Sequence, residues 1–98
     1  MDKSNILAKA IKHYGQEMQI DKMVEEAAEL ITAIAKMRIA LNSDEGITNE
    51  VANVIDELAD VQIMTDQLTI MFGEANVNNR IAFKLTRLNQ RIQDEQTK

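Results

Sequence analysis

Cysteine and proline are both absent from this 98-residue sequence, glycine occurs three times, and aromatic residues make up 3% of it. Without cysteine there is no disulfide framework and no thiolate metal site. Sheets draw on turn residues and on β-branched and aromatic side chains, and their scarcity argues against a β-rich fold. No apolar run approaches the ~20 residues that span a bilayer, and no signal-peptide pattern opens the chain. A membrane location is therefore not expected, and the cytoplasm is the expected compartment. The formal charge of −5 opposes stable binding to nucleic acid.

What is abundant are the good helix formers Ala, Leu, Met, Glu, Lys and Gln. The chain reads as all-α, one domain over residues 1–98. Breaks are expected at Gly15, at Asn42–Gly46 and at Gly73–Asn79, where glycine joins residues that compete for backbone hydrogen bonds. They leave four predicted helices. The first, Ser4–Tyr14, carries Ile6, Leu7, Ala10, Ile11 and Tyr14 on one stripe. The second, Asp21–Leu41, has Asp21 as a predicted N-cap and an apolar face of Met23, Ala27, Leu30, Ile31, Ile34 and Leu41. The third, Thr48–Phe72, is lined by Val51, Val54, Ile55, Leu58, Val61, Leu68 and Phe72. The fourth, Asn78–Asp94, repeats Ile81, Leu85, Leu88 and Ile92 at helical spacing. Two long helices joined by a short connection pack antiparallel, so a four-helix, bundle-like architecture is expected. A domain of this size buries roughly two-thirds of its unfolded surface, a modest core that pairing with another copy completes. A homo-oligomer is expected.

The chemistry concentrates in two acidic runs. The second helix contains Glu25-Glu26-Ala27-Ala28-Glu29 and the third Asp56-Glu57-Leu58-Ala59-Asp60. Residues three or four apart share a helix face, so Glu26 points with Glu29, and Glu57 with Asp60. Both pairs stand in apolar surroundings. The positions four beyond Glu26, Glu29 and Glu57 are Leu30, Ala33 and Val61, so no lysine follows them at i,i+4; Lys22 lies four before Glu26, the less favourable order for a pair. Four carboxylates facing one another across an antiparallel interface repel and lose hydration unless a cation joins them. Hard divalent ions with oxygen ligands, Mg²⁺ or Mn²⁺, suit such a set. The bland alternative is a solvated acidic face on each helix.

Other metal sites fit less well. The only histidine, His13, has Ala10 three residues before it, so no Glu-x-x-His di-iron motif forms. An EF-hand built on Gly46 would place Leu41 where an aspartate belongs. The fourth helix carries Arg80, Lys84, Arg87 and Arg91 on a face of their own. A cation row in an acidic protein suits phosphate, with Lys84 and Arg87 at its centre; pairing with neighbouring acids is the alternative.

The run Lys22-Met-Val-Glu-Glu-Ala-Ala-Glu-Leu30, followed by Asp56-Glu-Leu-Ala-Asp-Val-Gln-Ile63, resembles the MazG-like nucleoside triphosphate pyrophosphohydrolases. Their signature is Glu-x-x-Glu on one helix and Glu-x-x-Asp on the next. The segments Gly15–Asp21 and Lys84–Ile92 resemble the lead-in and closing basic helix of short, single-domain members. The spacer of 27 residues between Glu29 and Glu57 is near the long end for that family. The resemblance implies a MazG-type fold, a homodimer or homotetramer, Mg²⁺ dependence, and hydrolysis of nucleoside triphosphates to monophosphate and pyrophosphate in nucleotide-pool cleaning. Carried onto this chain, Glu26, Glu29, Glu57 and Asp60 become the metal ligands. Glu25, or one of the ligands, accepts the proton of the attacking water. Lys22, Lys84 and Arg87 are expected to contact phosphate, and Gln19 and Asn53 base or sugar. The competing reading is a non-catalytic helical oligomerisation or protein-interaction module, which would ignore Mg²⁺.

Overall fold

Four α-helices and no strand make up the described residues, 1–42 and 47–97, of a computed structural model: α1 (Lys3–Tyr14), α2 (Gln16–Ala40), α3 (Thr48–Phe72) and α4 (Glu74–Gln96). The all-α expectation stands. Among these residues no helix is long and apolar enough to cross a membrane. The chain divides into two units, Met1–Leu68 and Thr69–Lys98.

The helix boundaries follow from the junctions. The Asp2 side chain accepts a hydrogen bond from the Asn5 backbone N–H at 3.2 Å and starts α1. Gly15 ends it with φ at 89°, a left-handed value that glycine adopts without steric cost. That one residue suffices, because Gln16, Glu17, Met18 and Gln19 are themselves good helix formers. So α2 begins at Gln16, five residues earlier than the sequence suggests, and Asp21 lies inside it rather than capping it. Gly73, with φ at 104°, plays the same part between α3 and α4, and α4 begins at Glu74 instead of Asn78. Of the predicted break at Asn42–Gly46, Asn42 lies in a turn and residues 43–46 lie outside the described part.

In the first unit α2 and α3 run antiparallel. Gln19, near the start of α2, donates a hydrogen bond to Gln67, near the end of α3, at 2.7 Å. Further along α2, Glu26 approaches Glu57 and Asp60, earlier positions of α3. Each helix is 25 residues, about 37 Å at 1.5 Å per residue. The Lys3 ammonium reaches the Asp66 carboxylate at 2.6 Å and ties α1 to α3.

The packing seam departs from the predicted apolar stripe. On α2 the row turned from solvent includes Gln19, Met23, Glu26, Leu30, Ala33, Met37 and Ala40; on α3 it includes Glu50, Val54, Glu57, Val61 and Met64. These alternate steps of four and three residues, the 3.5-residue repeat of a coiled-coil seam. Met23, Ala27 and Leu30, expected on the apolar face, are half-buried. Ile31 and Ile55, predicted to be interior, are 68% and 63% exposed. The reason is that the carboxylates and glutamines occupy seam positions, which turns those isoleucines outward. The core is correspondingly thin. Leu7, Ala33 and Met64 are its buried apolar residues, beside buried Gln19, Glu26 and Gln67. Each fully buried Leu or Met is worth roughly 1.5–3 kcal/mol, so few large contributions hold this unit together.

The second unit contains α4, none of whose residues is buried. Its Phe83 ring has the Arg80 guanidinium 4.7 Å and the Arg87 guanidinium 6.0 Å from its centroid. The two arginines, three residues before and four after Phe83, are at helical spacing from this exposed aromatic ring.

Candidate functional site

The site grows out of the seam. Because Glu26 and Glu57 fall on the 3.5-residue repeat, packing α2 on α3 brings them together, and Asp60 follows one turn after Glu57. Glu26, Glu57 and Asp60 each present a carboxylate oxygen, and these three oxygens lie within 4.8 Å of one another. Glu29 stands beside them at the exposed rim. Its carboxyl is pushed above its ordinary value by the Glu26 charge first, then by burial, and then by the charges of Glu57 and Glu25. The Glu57 carboxyl is also raised, chiefly by burial, then by Asp60 and Glu26. Each shift says that the ionised form is disfavoured where it sits.

Lys22 supplies a counter-charge. Its ammonium is 3.2 Å from Glu26 Oε1 and 3.5 Å from Glu25 Oε1. The hydrogen bond to Glu26 and the charge of Glu25 hold it protonated above its ordinary value. This i,i+4 order is the less favourable one for an isolated helix, but the buried acid makes the contact worthwhile. One ammonium does not neutralise Glu25, Glu26, Glu29, Glu57 and Asp60.

Two oxygens of the central acids have no partner. Glu26 is 7% exposed. Its Oε2 and the Oε2 of Glu57 are buried with no hydrogen-bond partner. Leaving a buried charged acceptor unpaired is expensive. A hard divalent cation would relieve it. Ligand oxygens around an octahedral Mg²⁺ at 2.0–2.1 Å lie about 3 or 4 Å apart, so side-chain rotations of modest size bring this set to a cation. The donors present fit the ion.

Beside the acids lies an open groove of about 940 Å³ between α2 and α3. Glu25, Glu29 and Glu57 line one part of it; Thr32, Ala33, Lys36, Glu50 and Asn53 extend it along the helices. Asn53, expected near base or sugar, therefore shares a groove with the acids. Gln19 does not. Its side chain is buried against Gln67 and lines a second pocket with Tyr14, Met18, Asp21, Lys22, Glu25 and Met64. Lys84 and Arg87 lie on α4 in the second unit and are exposed. Two charged groove residues, Lys36 and Glu50, were not among the candidates read from the sequence. Lys36 gave no signal beyond being a helix cation. Glu50 was legible in principle, since Glu50, Asn53 and Glu57 fall on one face at steps of three and four.

No protein-family profile, curated protein or solved structure matches the chain.

Proposed function

We propose that the protein is a Mg²⁺-dependent nucleoside triphosphate pyrophosphohydrolase. The observation that carries this reading is the meeting of Glu26, Glu57 and Asp60 oxygens within 4.8 Å, with buried, unpartnered oxygens left on Glu26 and Glu57. The Glu-x-x-Glu and Glu-x-x-Asp pattern, through its resemblance to MazG-like enzymes, names the reaction. Glu26, Glu29, Glu57 and Asp60 hold the cation, Mg²⁺ or Mn²⁺. When bound, it neutralises triphosphate charge and acidifies water for attack.

The residues divide the remaining work. Glu25, exposed at the rim, accepts the proton as the water oxygen bonds to the α-phosphorus. The bond from that phosphorus to the bridging oxygen breaks, leaving monophosphate and pyrophosphate. Lys22, held by Glu25 and Glu26, offers its remaining protons to phosphate. Lys84 and Arg87 add positive charge, contributed within a homodimer or homotetramer, and Asn53 contacts base or sugar from the groove. Gln19 reaches substrate only by giving up Gln67. The reading places the protein in the cytoplasm, clearing unwanted nucleotides.

The test is a panel of nucleoside triphosphates assayed for pyrophosphate release with and without Mg²⁺. Release that requires Mg²⁺ and is lost in Glu57→Gln and Asp60→Asn supports the reading. No release from any of them, or release undiminished in both variants, overturns it. A second reading, a non-catalytic helical interaction module, is favoured by the exposure of Ile81, Phe83, Leu85, Leu88 and Ile92 along α4. It predicts self-association indifferent to Mg²⁺.

A further inference from the structure

Glu26, Glu57 and Asp60 repel across the seam on which they meet, so something other than the acids must choose the register of α2 on α3. The apolar residues choose weakly. Met23, Leu30 and Met37 recur at steps of seven, as do Val54 and Val61, so sliding one helix by a heptad exchanges one apolar residue for another. Methionine adapts to many surroundings, which blunts the choice further. Lys22 does not choose at all, because it sits on the same helix as Glu26 and answers its charge in any register. One slide would even relieve the acids: moving α3 by seven residues brings Asn53 level with Glu26 in place of Asp60.

Gln19 and Gln67 oppose that slide. They are 6% and 3% exposed, and Gln19 Nε2 donates to Gln67 Oε1 at 2.7 Å across the seam. Gln67 Nε2 donates in turn to Met64 Sδ at 3.6 Å. Gln19 stands seven residues before Glu26, and Gln67 seven residues after Asp60. In antiparallel helices the amide pair is therefore a rung of the same ladder on which Glu26 meets Asp60, roughly 10 Å along it. The slide that separates the acids would carry Gln67 past the start of α2 and part the amides, and a buried amide without its partner is costly. A polar residue inside an apolar helix seam fixes register in this way at some cost in stability. We infer that the Gln19–Gln67 pair is the register lock of the α2–α3 seam. Both are positioning residues, which hold Glu26 against Glu57 and Asp60 before any cation arrives. That the lock serves a cation rests on the metal-binding reading of the acid cluster; that it sets the register does not.

Methionine matches glutamine in length and is likewise unbranched, so replacing both amides by it removes the selection without leaving an unpaired group. Gln19→Met/Gln67→Met is expected to melt no lower than the wild-type protein. It should nevertheless bind Mn²⁺ about tenfold or more weakly, read from the free-ion electron paramagnetic resonance signal, because a site formed in a tenth of the molecules loses tenfold in apparent affinity. Register is read separately, in cation-free buffer. The chain has no cysteine, so Ile31→Cys and Ile55→Cys, at exposed positions of α2 and α3, carry one pair of spin labels, diluted into unlabelled protein. One narrow distance is expected with the amides in place, and a broadened or shifted one in the double methionine variant. Equal Mn²⁺ affinity in the two proteins, or an unchanged distance, overturns the inference and leaves the metal reading intact. Failure of the variant to fold overturns it as well, since a pair that only selects register is dispensable for stability. If the wild-type protein binds no Mn²⁺, the metal reading falls and the distances alone decide: broadening upholds the lock, and an unchanged distance overturns it.

Discussion

Glu26 and Glu57 occupy the seam between α2 and α3, with oxygens shielded from water, whereas Arg80, Lys84, Arg87 and Arg91 of α4 stand exposed beside Ile81, Leu85 and Leu88. Both regions use charged residues at helical spacing. In α4 hydration of the cations is kept, so their presence costs the fold little. In the seam hydration is lost, and the acids raise one another's proton affinity. A charge on an exposed face needs no explanation beyond solubility. A cluster of like charges in a packing seam opposes folding, and a bound cation is the simplest means of reversing that opposition.

The largest effect expected from breaking this contrast is on activity. Glu57→Ala should lower Mg²⁺-dependent pyrophosphate release by about 10²–10³-fold, the several kcal/mol that a Lewis acid supplies at 1.36 kcal/mol per tenfold. The Lys84→Ala/Arg87→Ala pair should act mainly on KM. Steady-state kinetics separates the two, and an equal fall in kcat for both would erase the distinction between seam and surface.

Next in size is the response of the fold to cation. Mg²⁺ at a hundredfold excess over its dissociation constant should stabilise the protein by about 2.7 kcal/mol, read by thermal unfolding; an unchanged Tm across the titration would count against a metal-filled cluster. The cation-free protein should also lose stability as pH rises. Folded Glu29 and Glu57 have raised proton affinity, so between their unfolded and folded pKa values the folded state binds more protons. Stability is then greatest below that window and falls as pH climbs through it. Saturating Mg²⁺ should flatten this slope, and a Tm that instead rises through the same window in cation-free buffer would contradict the repulsion described above.

A smaller cost is expected at the junctions. Gly15→Ala forces a side chain into φ near 89° with no atom within 4 Å of the new Cβ, so its penalty is conformational, about 1–2 kcal/mol. At Gly73 a new Cβ would also meet Asn76 Nδ2 at 2.9 Å, a flexible group that can move aside. Urea denaturation of both variants tests whether the two junctions respond alike. Smallest of all is the stability change in Lys84→Ala/Arg87→Ala, within about 0.5 kcal/mol for each exposed position. A larger loss would mean that α4 is covered by another copy of the chain.

Much of this was readable beforehand, but unevenly. The four helices follow from composition and from Gly15 and Gly73. The acid pairs follow from i,i+3 spacing. Their partnership across helices depends on register, which the hydrophobic pattern obscured. Ile31 and Ile55 look like core residues by periodicity, whereas the inward turn of Glu26 and Glu57 was legible only from their apolar neighbours and the absence of a following lysine. Asp21 resembles a cap only if Gly15 is taken to open a longer break than it does. Glu50 passed unnoticed because a lone acid in a first helical turn has an ordinary explanation.

By itself the sequence determined the helical class, the two positive-φ junctions and the placing of Glu26 with Glu29 and of Glu57 with Asp60 on shared faces. These depend on local conformational preference and on the 3.6-residue turn, which a chain carries with it. Only the tertiary structure decided that Glu26 meets Glu57 and Asp60, that Gln19 is taken up by Gln67, and that Glu50 opens onto the same groove as Glu57. Those outcomes depend on which row of each helix is turned toward the other, and that choice is made by the packing of both helices together.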